Sequence, residues 1–205
     1  KHNFLIHDYF FARTLDKVRP GGIVAFITSK GTMDKENPAV RKYIAQRADL
    51  LGAIRLPNDT FKSAAGTEVT SDIIFLQKRD RMVDIEPAWV HLNTDANGHK
   101  MNQYFVDNPD MILGDMKEIS GPFGPELACV PFENLSLGEL LSDAIQNIHA
   151  EITEYDLDEV LDGEEDLSIP ALPNVRNFSY AVVEGKVYYR ENSRMNPVDV
   201  SATAE

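Results

Sequence analysis

The chain has 205 residues, 43% of them apolar, which is enough to build a hydrophobic core, and its net charge is −13 at neutral pH. No apolar run reaches the roughly 20 residues that a membrane-spanning helix needs, and no secretory leader begins the sequence, so a cytoplasmic protein without a membrane segment is favoured. The single cysteine, Cys129, excludes an internal disulfide and a cysteine-based metal cage. Its apolar surroundings, "ELACVPF", favour a buried side chain over a nucleophile.

The charge is distributed unevenly along the chain. Residues 1–80 contain thirteen Lys and Arg against nine Asp and Glu, whereas residues 81–205 contain seven against twenty-four. Nucleic-acid binding depends on basic side chains that neutralise phosphates. Only residues 1–80 are therefore a plausible neighbour of DNA.

Residues 1–80 alternate between helical and strand patterns. Apolar residues over 3–18 recur at helical spacing, and Pro20-Gly21-Gly22 ends this helix. "IVAFITS" (Ile23–Ser29) has the nearly continuous apolar composition of a strand buried on both faces. Asn37-Pro38 marks the next helix start, with a capping side chain and Pro in the first turn. "LLGAIRLP" (50–57) and "SDIIFLQKR" (71–79) predict two more strands, which makes the segment a fragment of an α/β sheet.

The pattern changes after residue 80. Residues 81–160 are predicted to form an irregular connector with a short strand at 88–92. A long helix is predicted over 137–152, because Ser136 and Glu139 form a capping box and a stripe of apolar residues follows them. Nine acidic and no basic residues over 151–166 indicate a solvated linker. Residues 161–205 combine this linker with a β-hairpin, predicted from alternation on both sides of Glu184-Gly185.

One resemblance covers most of the first eighty residues. "LDKVRPGGIVAFITSKGTMDKENPAVRKYIAQRADLLGAIRLPNDTFKSAAGTEVTSDIIFLQKR" is similar to the segment after the catalytic motif in gamma-type DNA adenine methyltransferases, including the modification subunits of type I restriction systems. The most specific part is the interval from Leu56-Pro57 to Phe61, followed by "TSDIIFLQK". This resemblance implies a partial Rossmann-like class I methyltransferase sheet, with an irregular α+β region and a C-terminal β-hairpin after it.

A second resemblance covers nearly all of the chain. "WVHL", "NQYFVDNPDMILGDM" and "FSYAVVEGKVYYRENSRMNPVDVS" resemble segments of large helicase and methyltransferase fusion proteins of bacterial mobile elements. It implies that an upstream methyltransferase half and a downstream helicase region of a parent protein are partners of this piece. The sequence begins with Lys and not with Met, which agrees with the expectation that it is a piece of a longer protein.

Two motifs of the methyltransferase family are absent from the sequence. Asn-Pro occurs at 37, 108 and 196, but none of these continues as Pro and an aromatic, and the chain has no Gly-x-Gly for a cofactor loop. The three Asn-Pro pairs are better explained as a helix cap and two turns. No catalytic residue is therefore assigned in this chain, and we expect it not to methylate alone.

The resemblance still assigns roles to residues that are present. Phe10, with Tyr9 beside it, corresponds to the aromatic that packs on the adenine of S-adenosylmethionine; the alternative is an ordinary core aromatic. Phe61 corresponds to the residue that stacks on a flipped-out target base, although it could equally plug the end of the sheet. Lys30 and Lys62 are candidate DNA phosphate contacts.

Other residue patterns have structural explanations. The five histidines show no metal-ligand spacing, and the acidic run lacks the order of a calcium loop, so no metal site is predicted. Tyr180, Tyr188 and Tyr189 alternate in the hairpin and are expected to pack against a neighbour rather than stack on bases.

Two further functional hypotheses remain open from the sequence. The chain could be a non-catalytic scaffold or protein-interaction module whose acidic part docks a partner. It could also belong to a methyltransferase of small molecules or proteins, because one sheet architecture serves all these substrates. In a truncated methyltransferase sheet the missing strands would normally pair with Ile23–Ser29, so this edge is expected to be covered by another chain or by a rearranged local segment.

Overall fold

The computed structural model describes residues 6–121, 124–155, 168–191 and 194–198. The chain forms two compact units, residues 1–155 and 156–205, and its fold is mixed α/β with several small antiparallel sheets and few helices. The predicted boundary at residue 80 falls inside the first unit. The predicted boundary at residue 160 lies outside the described residues.

The first unit contains all the described α-helices. They are α1 (Ile6–Lys17), α2 (Gly31–Asp34), α3 (Ala39–Ala45), α4 (Lys62–Ala65), α5 (Gln103–Asp107) and α6 (Leu137–Gln146). Its described strands are β1 (Ile23–Ser29), β2 (Ala48–Leu56), β3 (Ser71–Lys78), β4 (Leu92–Thr94), β5 (Lys100–Asn102), β6 (Gly114–Gly121) and β7 (Gly124–Pro131). The strand predicted at 88–92 is instead a short 3-10 turn, Ala88–Val90, that leads into β4.

A three-stranded sheet with the order β1-β3-β2 lies at the centre of the first unit. β3 is antiparallel to both neighbours, so β1 and β2 are parallel to each other, and the crossover between them carries α2 and α3. Ser29 and Leu56, the last residues of β1 and β2, both pair with Ser71. The carboxyl ends of the two parallel strands therefore meet at the same edge of the sheet, which we call the carboxyl edge.

The Pro-Gly-Gly turn between α1 and β1 has a steric cause. Gly21 has a φ of +75°, in the left-handed region that favours glycine. A Cβ on Gly22 would lie 2.5 Å from Val18 Cγ1 and 2.9 Å from the Arg19 carbonyl oxygen. Glycine at both positions lets the chain turn from the end of α1 directly into β1.

β1 corrects one prediction from the sequence. Its composition predicts burial on both faces, but Ile23 and Ile27 are 53% and 61% exposed. β1 is an edge strand, and within the described ranges β3 is the one strand that pairs with it. The opposite face is covered, because Phe26 packs against Phe11 of α1 with ring centroids 4.2 Å apart.

α6 is shorter than predicted. It begins after Ser136, as expected, but ends at Gln146 instead of residue 152, and the Ser136 side chain makes no capping hydrogen bond. Asn147 closes the last turn, and Ile148 then packs over Gly52, where an added Cβ would lie 3.2 Å from Ile148 Cγ2. Gln77 in turn binds both the N–H and the carbonyl of Thr153. Contacts of Ile148 and Thr153 with the sheet thus accompany the end of the helix before residue 148.

One hydrophobic core joins the sheet to residues 81–155. Leu113 N–H donates to the Arg55 carbonyl at 2.9 Å, which ties the segment before β6 to the outer edge of β2. The core combines side chains from both regions: Phe11, Leu15, Met33, Val40, Ile44, Ala48, Ala53, Ile54, Leu56, Ile74, Leu76, Met101, Phe105, Met111, Leu113 and Ala144.

The second unit is a small antiparallel sheet. Its described strands are β8 (Ile169–Pro170), β9 (Tyr180–Val183), β10 (Lys186–Glu191) and β11 (Arg194–Pro197), in the order β8-β11-β10-β9. The predicted hairpin is present as β9 and β10, and both turn residues have positive φ, +48° at Glu184 and +81° at Gly185. The sequence pattern therefore located this turn correctly.

Candidate functional site at the carboxyl edge

The carboxyl edge of the sheet gathers most of the residues singled out in the sequence. Lys30 follows β1 directly, and the loop over residues 57–70, which contains Phe61 and Lys62, connects β2 to β3. Lys30 N–H donates to the Thr70 carbonyl at 2.9 Å, so the ends of the two connections touch. Ligands of open α/β sheets bind outside the carboxyl ends of the parallel strands, which makes this edge the candidate site.

Phe61 is half-buried at this edge. Its ring packs against the hydrophobic core, and α4 begins at the next residue. The loop before it is fixed by a hydrogen bond from Thr60 Oγ1 to the Pro57 carbonyl at 2.7 Å, and Gly66, with a φ of +66°, ends α4. Phe61 is thus anchored on one side while part of its surface reaches solvent.

Both candidate phosphate-binding lysines have partners within the chain. The Lys30 ammonium donates to the Leu127 carbonyl, and the Lys62 ammonium forms an ion pair with Glu68. The hydrogen bond from Lys62 to Glu68 raises the pKa of Lys62, so this exposed side chain stays charged. DNA phosphates would have to compete with these contacts for both lysines.

β7 runs across the carboxyl edge. Asn58 N–H donates to the Cys129 carbonyl at 2.7 Å, and Cys129 N–H donates to Thr70 Oγ1 at 2.9 Å. Together with the bond from Lys30 to Leu127, these contacts fasten β7 to the ends of all three sheet strands. No sequence pattern predicts that β7 covers the carboxyl edge, because the composition of the segment that contains β7, rich in Gly and Pro, predicts irregular structure.

A cavity of about 280 Å³ lies beside this cover. Its walls come from the loop after β2, the end of β7 and the start of α6, and its lining is largely apolar: Pro57, Asp59, Thr60, Leu113, Pro131, Phe132, Leu135, Leu137 and Leu140. Residues of the predicted connector therefore help to build the surroundings of the candidate site.

A buried charge cluster lies under the carboxyl edge. Arg55 of β2 is fully buried and binds Asp72 of β3 through two hydrogen bonds, from Nε at 2.8 Å and from Nη2 at 3.0 Å. Its Nη1 lies 2.9 Å from Asp34 Oδ2, and its guanidinium lies 4.3 Å from the centre of the Phe105 ring. Burial acts to lower the pKa of Arg55, but the charges of Asp72 and Asp34 outweigh it and raise the pKa above its usual value.

Sequence reasoning missed this charge cluster, although a signal was present. Arg55 and Asp72 are the only charged residues within the apolar runs "GAIRLP" and "SDIIFL". A charge inside a buried strand requires an opposite charge nearby, so the two residues could have been paired from the sequence.

The candidate cofactor aromatics lie elsewhere on the first unit. Tyr9 and Phe10 are 52% and 58% exposed on α1, with ring centroids 6.2 Å apart. The core aromatic of this helix is the neighbouring Phe11, which is 2% exposed. The alternative that Phe10 is a core residue is therefore wrong, and its ring is open to a ligand.

Cys129 is buried in β7, as its apolar surroundings predicted. Burial raises the pKa of its thiol to about 12, because the thiolate is poorly solvated there. We expect its alkylation by iodoacetamide at about pH 8 to be at least ~100-fold slower in the native chain than in urea-unfolded chain, since the thiolate is the reactive form. Mass spectrometry of the alkylated fraction over time measures this, and equal rates would contradict the buried position.

Among the described residues there is neither a metal-binding cluster nor a membrane-spanning helix. No three His, Cys, Asp or Glu side chains come together there in a way that could hold a metal ion. None of the described helices has the length and apolar composition to cross a membrane.

Comparison with known proteins finds a partial relative. The chain is 33% identical over 87 residues to the protein named "Defense against restriction protein B" of Escherichia phage P1. The match includes 42% of this chain but only 4% of the relative's length. No protein-family model matches the chain, and no solved structure matches it.

Proposed function

We propose that the chain is the C-terminal half of an S-adenosylmethionine-dependent DNA adenine methyltransferase domain, within a larger parent protein. The complete domain would transfer a methyl group in line to the amino group of a flipped-out adenine. The catalytic motif and the glycine cofactor loop would come from the upstream half, since neither is present in this sequence. The chain alone would be inactive.

The arrangement of β1, β2 and α1 is the observation that carries this proposal. β1 and β2 are parallel, a helical crossover joins them, and α1 packs on the same sheet immediately before β1. A helix that packs on a sheet before a parallel strand ordinarily follows another parallel strand, which lies beside the first. No described strand pairs with the outer edge of β1, and this edge is suited to that strand, which the upstream half would supply.

The residues present would each supply part of a cofactor site or of a base site. S-adenosylmethionine would supply the methyl group, and the exposed rings of Phe10 and Tyr9 offer flat apolar faces for its adenine. Phe61 offers a half-buried aromatic surface at the carboxyl edge, where it would stack on the extruded target base. Asp59 and the wall of the neighbouring cavity would border that base.

DNA as the substrate rests on two further observations. Residues 1–80 hold thirteen of the chain's twenty basic residues, and Lys62 is charged and exposed beside Phe61. The partial relative is named for defence against restriction, and methylation of DNA is one chemical route to such protection. Both support a restriction-related DNA substrate over a small molecule.

The proposal is tested by joining the chain to its upstream half and replacing Phe61. We expect F61A to lower kcat/KM for methyl transfer to duplex DNA by about 10–100-fold, because base–aromatic stacking contributes about 1–3 kcal/mol. F61W retains an aromatic surface and serves as the matched control, with activity within a few-fold of the parent. Transfer of labelled methyl groups to adenine measures both, and an unchanged F61A would remove Phe61 from the site.

A scaffold function is the second candidate, and the cover formed by β7 favours it. β7 lies over the edge where a ligand would bind, and the Lys30 ammonium donates a hydrogen bond to a backbone carbonyl of β7. Titration of the reunited protein with S-adenosylmethionine and duplex DNA separates the two functions. Saturable binding of either ligand contradicts a pure scaffold, whereas absence of both contradicts the methyltransferase proposal.

A further inference from the structure

The buried Arg55 connects three chain segments at the carboxyl edge. It is the second-last residue of β2, and the loop over residues 57–70 begins two positions later. Asp72 pairs with it across the ladder and is the second residue of β3, so it follows the same loop at its other end. The hydrogen bonds between Arg55 and Asp72 therefore close the base of the loop that contains Phe61.

The third segment is the connection that follows β1. Asp34 of α2 lies 2.9 Å from Nη1 of Arg55, and its backbone N–H donates to the Lys30 carbonyl at 2.8 Å. The Lys30 N–H in turn donates to the carbonyl of Thr70, the last residue of the loop. One guanidinium thus links the segment after β1 to both ends of the loop with Phe61.

The chemistry of arginine suits this position. Its planar guanidinium presents five N–H donors in a rigid fork, so one side chain can bind two carboxylates at once. Nε and Nη2 of Arg55 donate to Asp72, and Nη1 faces Asp34. Stability alone does not explain why charges occupy this position, since apolar side chains of similar volume are often as stable in a protein interior.

We infer that Arg55 is a positioning residue of the candidate site, a role that rests on the proposed function. Arg55 holds the loop over residues 57–70 against the segment that follows β1, so that the Phe61 ring is fixed where the target base would stack. Because Arg55 is fully buried, it acts through Asp72 and Asp34 and not by contact with DNA. Such positioning matters for rate, since a misplacement of about 1 Å can cost about 100-fold.

The test replaces the charged pair by an apolar pair in the protein joined to its upstream half. R55M/D72L removes both charges together, so its free energy of unfolding in urea is expected to stay within about 1 kcal/mol of the parent or above it. Asp34 is partly exposed and keeps the hydrogen bond from the Asn102 N–H at 3.0 Å. We expect kcat for methyl transfer to duplex DNA to fall about 10–100-fold, with the KM for S-adenosylmethionine within about threefold of the parent.

Arg79 and Asp49 provide a matched control on the same two strands. Asp49 lies near the start of β2 and Arg79 directly follows β3, so this second Arg–Asp pair joins the strands at the edge opposite the carboxyl edge. R79M/D49L makes the same chemical change there. Its kcat is expected to stay within about twofold of the parent, because the loop over residues 57–70 is not attached to this pair.

Hydrogen exchange of the chain alone gives a readout that does not require catalysis. The N–H groups of Lys30 and Val69 both bond to backbone carbonyls of the loop over residues 57–70. In R55M/D72L we expect these two amides to exchange at least about tenfold faster than in the parent, while the amides of α6 keep the parent rates. A purely structural pair would change the exchange of both regions together or of neither.

Each alternative outcome has a separate meaning. Unchanged exchange of the Lys30 and Val69 amides, or methyl transfer by R55M/D72L within about twofold of the parent, would overturn the inference. Absence of methyl transfer by the parent itself would contradict the proposed function, and hydrogen exchange would then decide whether Arg55 positions the loop. If R55M/D72L does not fold, R55K takes its place with the same expected loss of kcat, because lysine keeps the charge but lacks the planar fork that binds two carboxylates.

Discussion

Replacing Asp72 with Asn is expected to reduce the free energy of unfolding of the first unit by about 1–3 kcal/mol. Asp72 is fully buried and accepts two hydrogen bonds from Arg55, which is itself fully buried. The neutral amide can accept only one of these two hydrogen bonds and presents an N–H group to the other guanidinium donor, while Asp34 remains as an acidic partner of Arg55. A buried guanidinium donor without an acceptor is costly because it has lost its hydration.

Urea unfolding followed by the fluorescence of Trp89 measures this loss. Trp89 is the only tryptophan and packs against the core of the first unit, so it reports on that unit. D115N is the matched control, because Asp115 pairs with Lys117 at the surface and its loss should cost at most about 1 kcal/mol. If D72N and D115N had equal effects, Arg55 would not be held by Asp72.

Replacing Gly114 with Ala is expected to destabilise the first unit by up to about 3 kcal/mol through steric overlap. An added Cβ would lie 2.3 Å from the Val130 carbonyl oxygen and 2.8 Å from Cys129 Sγ. The nearest atom belongs to the backbone of the paired strand, which cannot move without breaking the β6–β7 pairing. The same displacement would loosen the contacts between β7 and the carboxyl edge.

Gly138 provides a control at which the same substitution is expected to raise the free energy of unfolding. It lies in α6, where an added Cβ meets only Ser136 Oγ at 3.6 Å, so G138A should stabilise the chain by about 0.5–1 kcal/mol. Trp89 fluorescence in urea reports both variants on one scale. A stabilising G114A would mean that β6 and β7 do not approach each other as closely as described.

The periodic segments of the chain were predictable from sequence because local chemistry determines them. The Pro-Gly-Gly turn, the three strands of the central sheet and the hairpin at Glu184-Gly185 all occur where their patterns indicated. Exposure was harder to predict, since an apolar run such as Ile23–Ser29 has the same composition whether or not a neighbour covers it. The predicted length of α6 was also wrong, because tertiary contacts of Ile148 and Thr153 outweighed the helical pattern.

The candidate site was predictable only in part. Phe61, Lys30 and Lys62 were assigned separately from the resemblance, and the structure places all three at one edge of the sheet. The position of β7 depends on hydrogen bonds between residues more than fifty positions apart, such as Asn58 and Cys129, and such pairs leave no local pattern. Tyr9 and Phe10 stay predictions, since their proposed ligand pocket requires residues from outside this chain.

The free edge of β1 also bears on how the isolated chain behaves in solution. Its seven residues include no charge and no proline, the features by which natural edge strands resist pairing with other molecules. Such a strand can template fibrillar aggregation, and electrostatic repulsion between chains of net charge −13 opposes it. High salt or mildly acidic buffer weakens that repulsion, so dilute, neutral, low-salt conditions favour recovery of the chain as a monomer.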